Sequence, residues 1–266
     1  MHDDTMTTDD TILVRREGAI ARVVLNRPAK LNCVSVAMWV RLRALFEGFD
    51  ADADLRCVVI EGRGEKAFCV GADIAEFGTT RATAAQARDY AALSHGALAA
   101  IASCRHPVIA AIRGLCVGGG LELACVADLR ICAEGARFGI PVKRLGLVVA
   151  TSELAPLQRL VGPARAKEIL LTGDLFDAAA AERMGLVNRI VPAEGFDAAV
   201  AALVGSIIEG APLVARWHKR FVDRLADPRP LTPAEHDESY LCFDTADFQA
   251  GAAAFLARTK PVFEGR

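Results

Sequence analysis

From residue 57 to residue 191 short, wholly apolar runs alternate with longer stretches that carry helix punctuation, and this alternation limits the possible folds more than any other feature of the chain. RCVVIEG is a β-branched run bounded by Gly62 and Gly64, and its length suits a buried strand. PVIAAI, LRICA and LVNRIV read the same way. Between them lie an alanine-rich stretch at 83–103, the segment GGGLELACVA, a helix around 153–160, and LVGPARAKEILLTG, with Pro163 at a helix N1 position and Gly173 as its stop. The short helix FDAAAAERMG completes the series. Strands that alternate with helices pair in parallel through crossovers, which places the chain in the α/β class. Upstream, 11–16 and 19–25 read as a hairpin joined at Glu17-Gly18, followed by a helix from the cap residue Ser35 to Phe49. Beyond Pro192 no strand is evident, and 196–208, 212–225 and 233–258 read as helices. The expected division is a core over 1–195 and a helical region over 196–266.

The chain has 266 residues, 53% of them hydrophobic and 24% charged, with a net charge of −2. So balanced a charge gives no electrostatic reason to expect nucleic acid or an anionic membrane as partner. The longest apolar stretch, 198–208, is too short to span a bilayer and is bracketed by Asp197 and Glu209. The first ten residues, MHDDTMTTDD, lack the basic and apolar regions of a secretory signal, so the expected location is the cytoplasm. Eight cysteines are scattered through apolar runs with no CxxC pair and no nearby histidine cluster. They read as reduced, buried thiols, with no metal site expected.

Chemistry concentrates in HPVIAAIRGLCVGGGLELACVADLRICA, residues 106–133. A buried strand ends there in a glycine-rich turn that feeds a helix. Gly118, Gly119 and Gly120 would present unobstructed N–H groups at the helix start, an arrangement suited to an anion or a developing oxyanion. Phosphate cradling does not fit. A Walker loop needs GK[ST] where Leu121-Glu122 stands, the glycine spacing is not GxGxxG, and Glu122 would repel a phosphate. A tight strand-to-helix turn with a dipole-friendly glutamate would explain this segment alone. KAFCVGADIAEF, residues 66–77, runs similarly from an apolar strand through glycine into a helix start, with Asp73 as a possible cap.

Together and in this order, these segments resemble the crotonase (enoyl-CoA hydratase/isomerase) family. VVLNRPAKLN at 23–32, ARFGIPVKRLGL at 136–147 and QRLVGPARAKEILLTGDLFDAAAAERMGLVNRIVP at 158–192 extend the match, which is continuous over about residues 11–195. The resemblance implies a ClpP-like spiral of ββα units whose C-terminal helices drive homotrimers, often stacked as hexamers. It implies an oxyanion hole made of the Ala72 and Gly119 N–H groups, holding the thioester oxygen of an acyl-CoA. CoA itself is then substrate, and no cofactor is expected. Val70, Ala72, Asp73 and Ile74 would hold it, with Ala29, Lys30 and Leu31 nearby. Ala75 stands where many relatives carry a lysine, which leaves Lys30, Lys143 and Arg27 as weaker candidates for the CoA phosphates.

Glu122 matches the first of the family's two catalytic glutamates. The second follows the proline of an FGxPE segment; here the string is FGIPV, and Val142 cannot transfer a proton. Just beyond, GLVVATSELAPLQRL departs from the family's proline-glycine turn and is longer by a few residues. Glu153 in that stretch is either a displaced second carboxylate or a residue of its helix's first turn, beside Ser152. His95 and His106 read as structural or surface groups, Asp128 as turn architecture, and Met38, Trp39 and Phe46 as core. Lys143 and Arg144 also fit a merely solvated face. The leading expectation is a hydratase-type lyase with Glu122 as general base and Glu153 or a water completing the proton path. Isomerisation, decarboxylation or thioester hydrolysis on the same enolate hole, and a non-catalytic acyl-CoA binder, are the alternatives.

Overall fold

The computed structural model describes residues 11–266, and the expectation about the acidic N-terminal stretch falls outside them. The chain opens on an antiparallel hairpin of β1 (Ile12–Glu17) and β2 (Ile20–Leu25). Its turn is Gly18-Ala19, one residue later than the sequence suggested. Ser35 then caps α1 (Val36–Ala51), its side chain accepting from the Met38 N–H.

Three units follow that trace one path: a strand in a large sheet, a short strand in a small sheet, then helix. The first is β3 (Cys57–Gly62), β4 (Ala67–Cys69), the short α2 (Phe77–Thr80) and the long α3 (Ala84–Ser103). The second is β5 (Val108–Ile112), β6 (Leu115–Val117) and α4 (Gly119–Cys125). The third is β7 (Leu129–Ala133), β8 (Arg137–Gly139) and α5 (Thr151–Thr172). β9 (Phe176–Asp177), α6 (Ala178–Arg183) and β10 (Arg189–Val191) complete the core. The large sheet runs β1-β2-β3-β5-β7-β10 and the small one β4-β6-β8-β9. Every pairing beyond the first hairpin is parallel except β8 with β9. Each unit therefore advances one strand along both sheets, and the chain winds as the ββα spiral of the crotonase fold.

A parallel sheet covered on both faces accounts for the unbroken apolar runs. Val58, Ile60, Val108, Ala110 and Ile112 point into the main core beneath α1 and α3. Cys57, Val59, Ile109, Ala111, Ile131 and Ala133 face the other way and meet Phe196, Val200, Leu203 and Val204. Those four belong to α7 (Phe196–Ile208), so the first helix beyond the boundary expected at 195 packs as a layer of the core. All eight cysteines are free thiols, seven of them buried.

Two elements differ from the sequence reading. The strand expected to run from PVIAAI into the glycine turn breaks at Gly114, which at φ +61° carries the chain from one sheet to the other. A Cβ there would lie 2.1 Å from the Lys66 carbonyl oxygen, so only glycine makes this crossing. The helix expected over 233–258 is in fact α9 (Pro233–Glu238), a 3-10 turn at Leu241–Asp244 and α10 (Ala246–Ala257), because Thr232 and Thr245 each cap a new start. Before them, α8 (Pro212–Leu225) is tied to the core by Lys219, whose ammonium lies 2.8 Å from Asp128. Asp128 also accepts from the Val108 N–H, which bears out its reading as architecture. Among the described residues no single helix is long and apolar enough to cross a membrane.

Candidate active site

The carboxyl end of β4 and the start of α4 meet at one point. Residue 72 bridges Val34 in parallel: the Gly71 carbonyl accepts from the Val34 N–H, and the Val34 carbonyl accepts from the Asp73 N–H. A parallel bridge of this kind leaves the Ala72 N–H on the far side of the strand. Gly119 opens α4, and the bonds of its first turn begin with the Leu121 and Glu122 N–H groups on the Gly118 carbonyl. The Gly119 N–H thus has no intrahelical acceptor. The two segments lie so close that a Cβ on Gly71 would be 2.7 Å from the Gly119 nitrogen, and one on Gly119 would be 3.7 Å from the Ala72 nitrogen. Two N–H donors at this spacing, at a helix N-terminus, form a ready site for a carbonyl oxygen that gains negative charge.

Beside this pair lies a cavity of about 560 Å³, lined by Val70, Ala72, Ile74, Gly119, Glu122 and Glu153 among others. Of the sequence candidates, the structure therefore gathers these six at one place. Burial, reinforced by the charge of Glu153 and only partly offset by Arg81, pushes the Glu122 carboxyl up to about 8. Glu153 caps its helix and also reaches the cavity. Its Oε2 accepts from the Ala150 N–H, 3.0 Å away, the returning half of a capping box. Its Oε1 faces the cavity and lies 3.0 Å from His95 Nε2. The Ser152 hydroxyl is 3.2 Å from His95 Nδ1, so a ring protonated on Nε2 donates to Glu153 and accepts from Ser152. Val142 also lines the cavity, so the apolar replacement of the family's second glutamate sits at the site itself.

His95 corrects the sequence reading, since it is a cavity residue, while His106 is buried and structural, its Nε2 bonded to the Phe49 carbonyl. Trp39 is corrected too. It is buried beside Met38 and Phe46, but it also lines the cavity and donates from Nε1 to the Tyr90 hydroxyl at 2.6 Å. The missed residues share a signal. Ala87, Tyr90, Ala91, Ser94, His95 and Leu98 all line the cavity and fall on one face of α3 at helical spacing. Polar Tyr90, Ser94 and His95 on a face otherwise apolar mark a site rather than a core. Arg81, on the connection from α2 to α3, completes this wall.

Ala29, Lys30, Leu31 and Asp73 flank the cavity without lining it. The Pro28–Lys30 turn is tied to the Ala72 segment through Asp73, whose carboxylate lies 2.7 Å from Arg27 and 3.1 Å from Lys30. Hydrogen bonds from Arg27 and then Lys30 hold that carboxyl down to about 2. Arg27, whose side chain is 16% exposed, is thus a tether and no longer a free phosphate ligand. Lys30 keeps 54% of its side chain exposed and is still available. Lys143 donates to the Leu171 carbonyl, and Arg144 lines the cavity.

The enoyl-CoA hydratase/isomerase family model matches residues 15–266. A crotonyl-CoA hydratase from Syntrophomonas wolfei is 34% identical over 96% of this chain and 98% of its own length. The crystal structure of an enoyl-CoA hydratase/carnithine racemase from Magnetospirillum magneticum superposes with a TM-score of 0.96 at 48% identity, covering 98% of this chain and 97% of that one. An enoyl-CoA hydratase from Bacillus anthracis gives a TM-score of 0.90 at 28% identity, covering 96% of this chain and all of that one (100%).

Proposed function

The chain belongs to the enoyl-CoA hydratase/isomerase family and is a hydratase-like enzyme of acyl-CoA thioesters; from that premise we propose which of its residues perform the hydration. The thioester oxygen accepts hydrogen bonds from the Ala72 and Gly119 N–H groups, which stabilise the enolate as charge moves onto it. Water adds to the β-carbon while Glu122 takes its proton. The α-carbon then receives a proton from Glu153, in the form of the pair whose one proton sits on Glu153 Oε1 against an unprotonated His95 Nε2 while Glu122 is ionised. The proton on Glu122 returns to Glu153 through the shared cavity or solvent, and the cycle balances. A base that titrates near the working pH is the efficient one, and burial raises Glu122 toward that range.

The observation that carries this reading is the pairing of Glu122 with Glu153 in one cavity, beside the Ala72 and Gly119 N–H donors and with Val142 in the same lining. The second carboxylate comes from the first turn of α5, in place of the residue after the FGxP proline. Loss of the conjugated absorbance of crotonyl-CoA tests it: wild type should consume the thioester, and Glu122→Gln should be slower by about 100-fold or more. Full activity in that variant would remove Glu122 from the role.

The CoA moiety would run along Val70, Asp73 and Ile74 toward the 29–31 turn, with exposed Lys30 beside its phosphates. The helical tail supports assembly. Val222, Leu225, Phe255, Leu256 and Val262 are all more than two-thirds exposed in the single chain, a concentration of large apolar groups suited to a homotrimer or a stacked hexamer. Sedimentation at the mass of a single chain would contradict that assembly. A cytoplasmic location fits this reading.

A further inference from the structure

The cavity also holds a cation that the hydration chemistry does not use. Arg81 lies on the same wall as Tyr90, Ser94 and His95 and opens onto the space shared with Glu122 and Glu153. Its guanidinium carbon is 3.4 Å from the centroid of the Tyr90 ring and 4.7 Å from that of Phe77. Stacking of this kind engages the faces of the guanidinium and leaves its N–H edge for an acceptor in the plane. Its Nε is buried without any hydrogen-bond partner, and among the described residues no carboxylate forms an ion pair with Arg81. The Tyr90 hydroxyl, which accepts from Trp39 Nε1, is a neutral neighbour of the guanidinium and supplies no countercharge.

A guanidinium whose Nε is buried and unpartnered carries a cost that an anionic ligand in the cavity would remove. The fork geometry matches a carboxylate, which it can bind through two parallel N–H bonds. The position speaks against the CoA phosphates as that anion. Arg81 stacks on Tyr90 and Phe77 and lies within electrostatic reach of Glu122. The exposed cation beside the proposed CoA path is Lys30. Glu122 does not serve as the missing partner either, because Arg81 acts on it only at electrostatic range, without an ion pair or hydrogen bond.

We propose that Arg81 is a specificity residue that binds a carboxylate carried at the far end of the acyl group, so that the preferred substrates are CoA half-thioesters of short unsaturated dicarboxylic acids. The inference rests on the reading that the thioester occupies the Ala72–Gly119 hole. The test compares equilibrium binding of glutaryl-CoA and butyryl-CoA, which share the CoA moiety and differ by a terminal carboxylate. Neither can be hydrated, so binding is read apart from catalysis.

Wild type should bind glutaryl-CoA about 10- to 100-fold more tightly than butyryl-CoA, the range for a charge-assisted hydrogen-bonded pair. Arg81→Met should bring that ratio to one or below, and Arg81→Lys should restore part of it through charge without the fork. Equal binding of the two thioesters by wild type overturns the proposal without any variant having to fold. So does a ratio that survives in Arg81→Met, or an equal loss of both ligands, which would assign Arg81 to CoA. Crotonyl-CoA turnover is scored separately. Hydration without the glutaryl preference defeats the carboxylate subsite alone, whereas the preference without hydration keeps the subsite and defeats the hydratase assignment.

Discussion

The two walls of the cavity are built by different means. The oxyanion wall is backbone: the Gly71-Ala72 and Gly118-Gly119 segments pack so tightly that a single added methyl at Gly71, already at φ +90°, would lie 2.7 Å from the Gly119 nitrogen. The rest of the lining is side chain: Arg81, Tyr90, His95, Val142 and Glu153 reach in from the α2–α3 connection, α3, the segment after β8 and the start of α5. Backbone donors fixed by sterics allow one solution, and the same hole serves any thioester. Side chains projected from separate helices can be exchanged one at a time. In the proposed mechanism the second carboxylate is Glu153 and not the residue at position 142, with no change needed in the hole. Chemistry common to a family belongs on the first wall and specificity on the second.

The sharpest way to break this contrast is Gly71→Ala. It should lower kcat by about 100- to 1,000-fold, the effect of losing one oxyanion donor, while the protein still folds. Near-normal turnover would mean that the backbone wall tolerates change as the side-chain wall does.

A smaller effect comes from pH. Glu122, raised toward 8 by burial and by Glu153, acts as a base only when ionised. The active form of the pair keeps one proton, on Glu153, so kcat/KM should be level below that value and fall about tenfold per pH unit above it, as the pair loses that proton. A profile that climbs toward that value instead would mean that Glu122 must ionise with no proton needed on Glu153, and would remove Glu153 as the acid.

The same contrast explains what could be read from the sequence. The backbone wall is local. Three consecutive glycines ahead of Glu122, and the run through Gly71 to the cap Asp73, carry its whole geometry in adjacent residues. The strands of the large sheet were equally legible, because burial on both faces leaves apolar runs such as CVVI. The small sheet was mostly hidden: β6, β8 and β9 have two or three residues each, too few for a period to show. The break in the last helix needed the caps at Thr232 and Thr245 to be weighed against an alanine-rich background.

The side-chain wall is non-local. His95 and Glu153 are 58 positions apart and meet only because α5 starts against α3. His95 therefore looked like a surface histidine, and Glu153 like a helix-capping residue, until the fold brought them together. The stretch from Thr79 to Tyr90 reads from the sequence as shaping the pocket, but nothing there singles out Arg81, since an arginine before a helix cap is most often solvated.

The central claim is that the catalytic carboxylate missing at Val142 is supplied by Glu153. The most direct measurement is single-turnover hydration of crotonyl-CoA by Glu153→Gln, with binding of butyryl-CoA followed in parallel. Glutamine can keep the contact to the Ala150 N–H but cannot give up a proton. The account predicts a rate lower by about 100-fold or more with binding largely retained. Wild-type hydration in Glu153→Gln would contradict it and leave Glu153 as a helix cap.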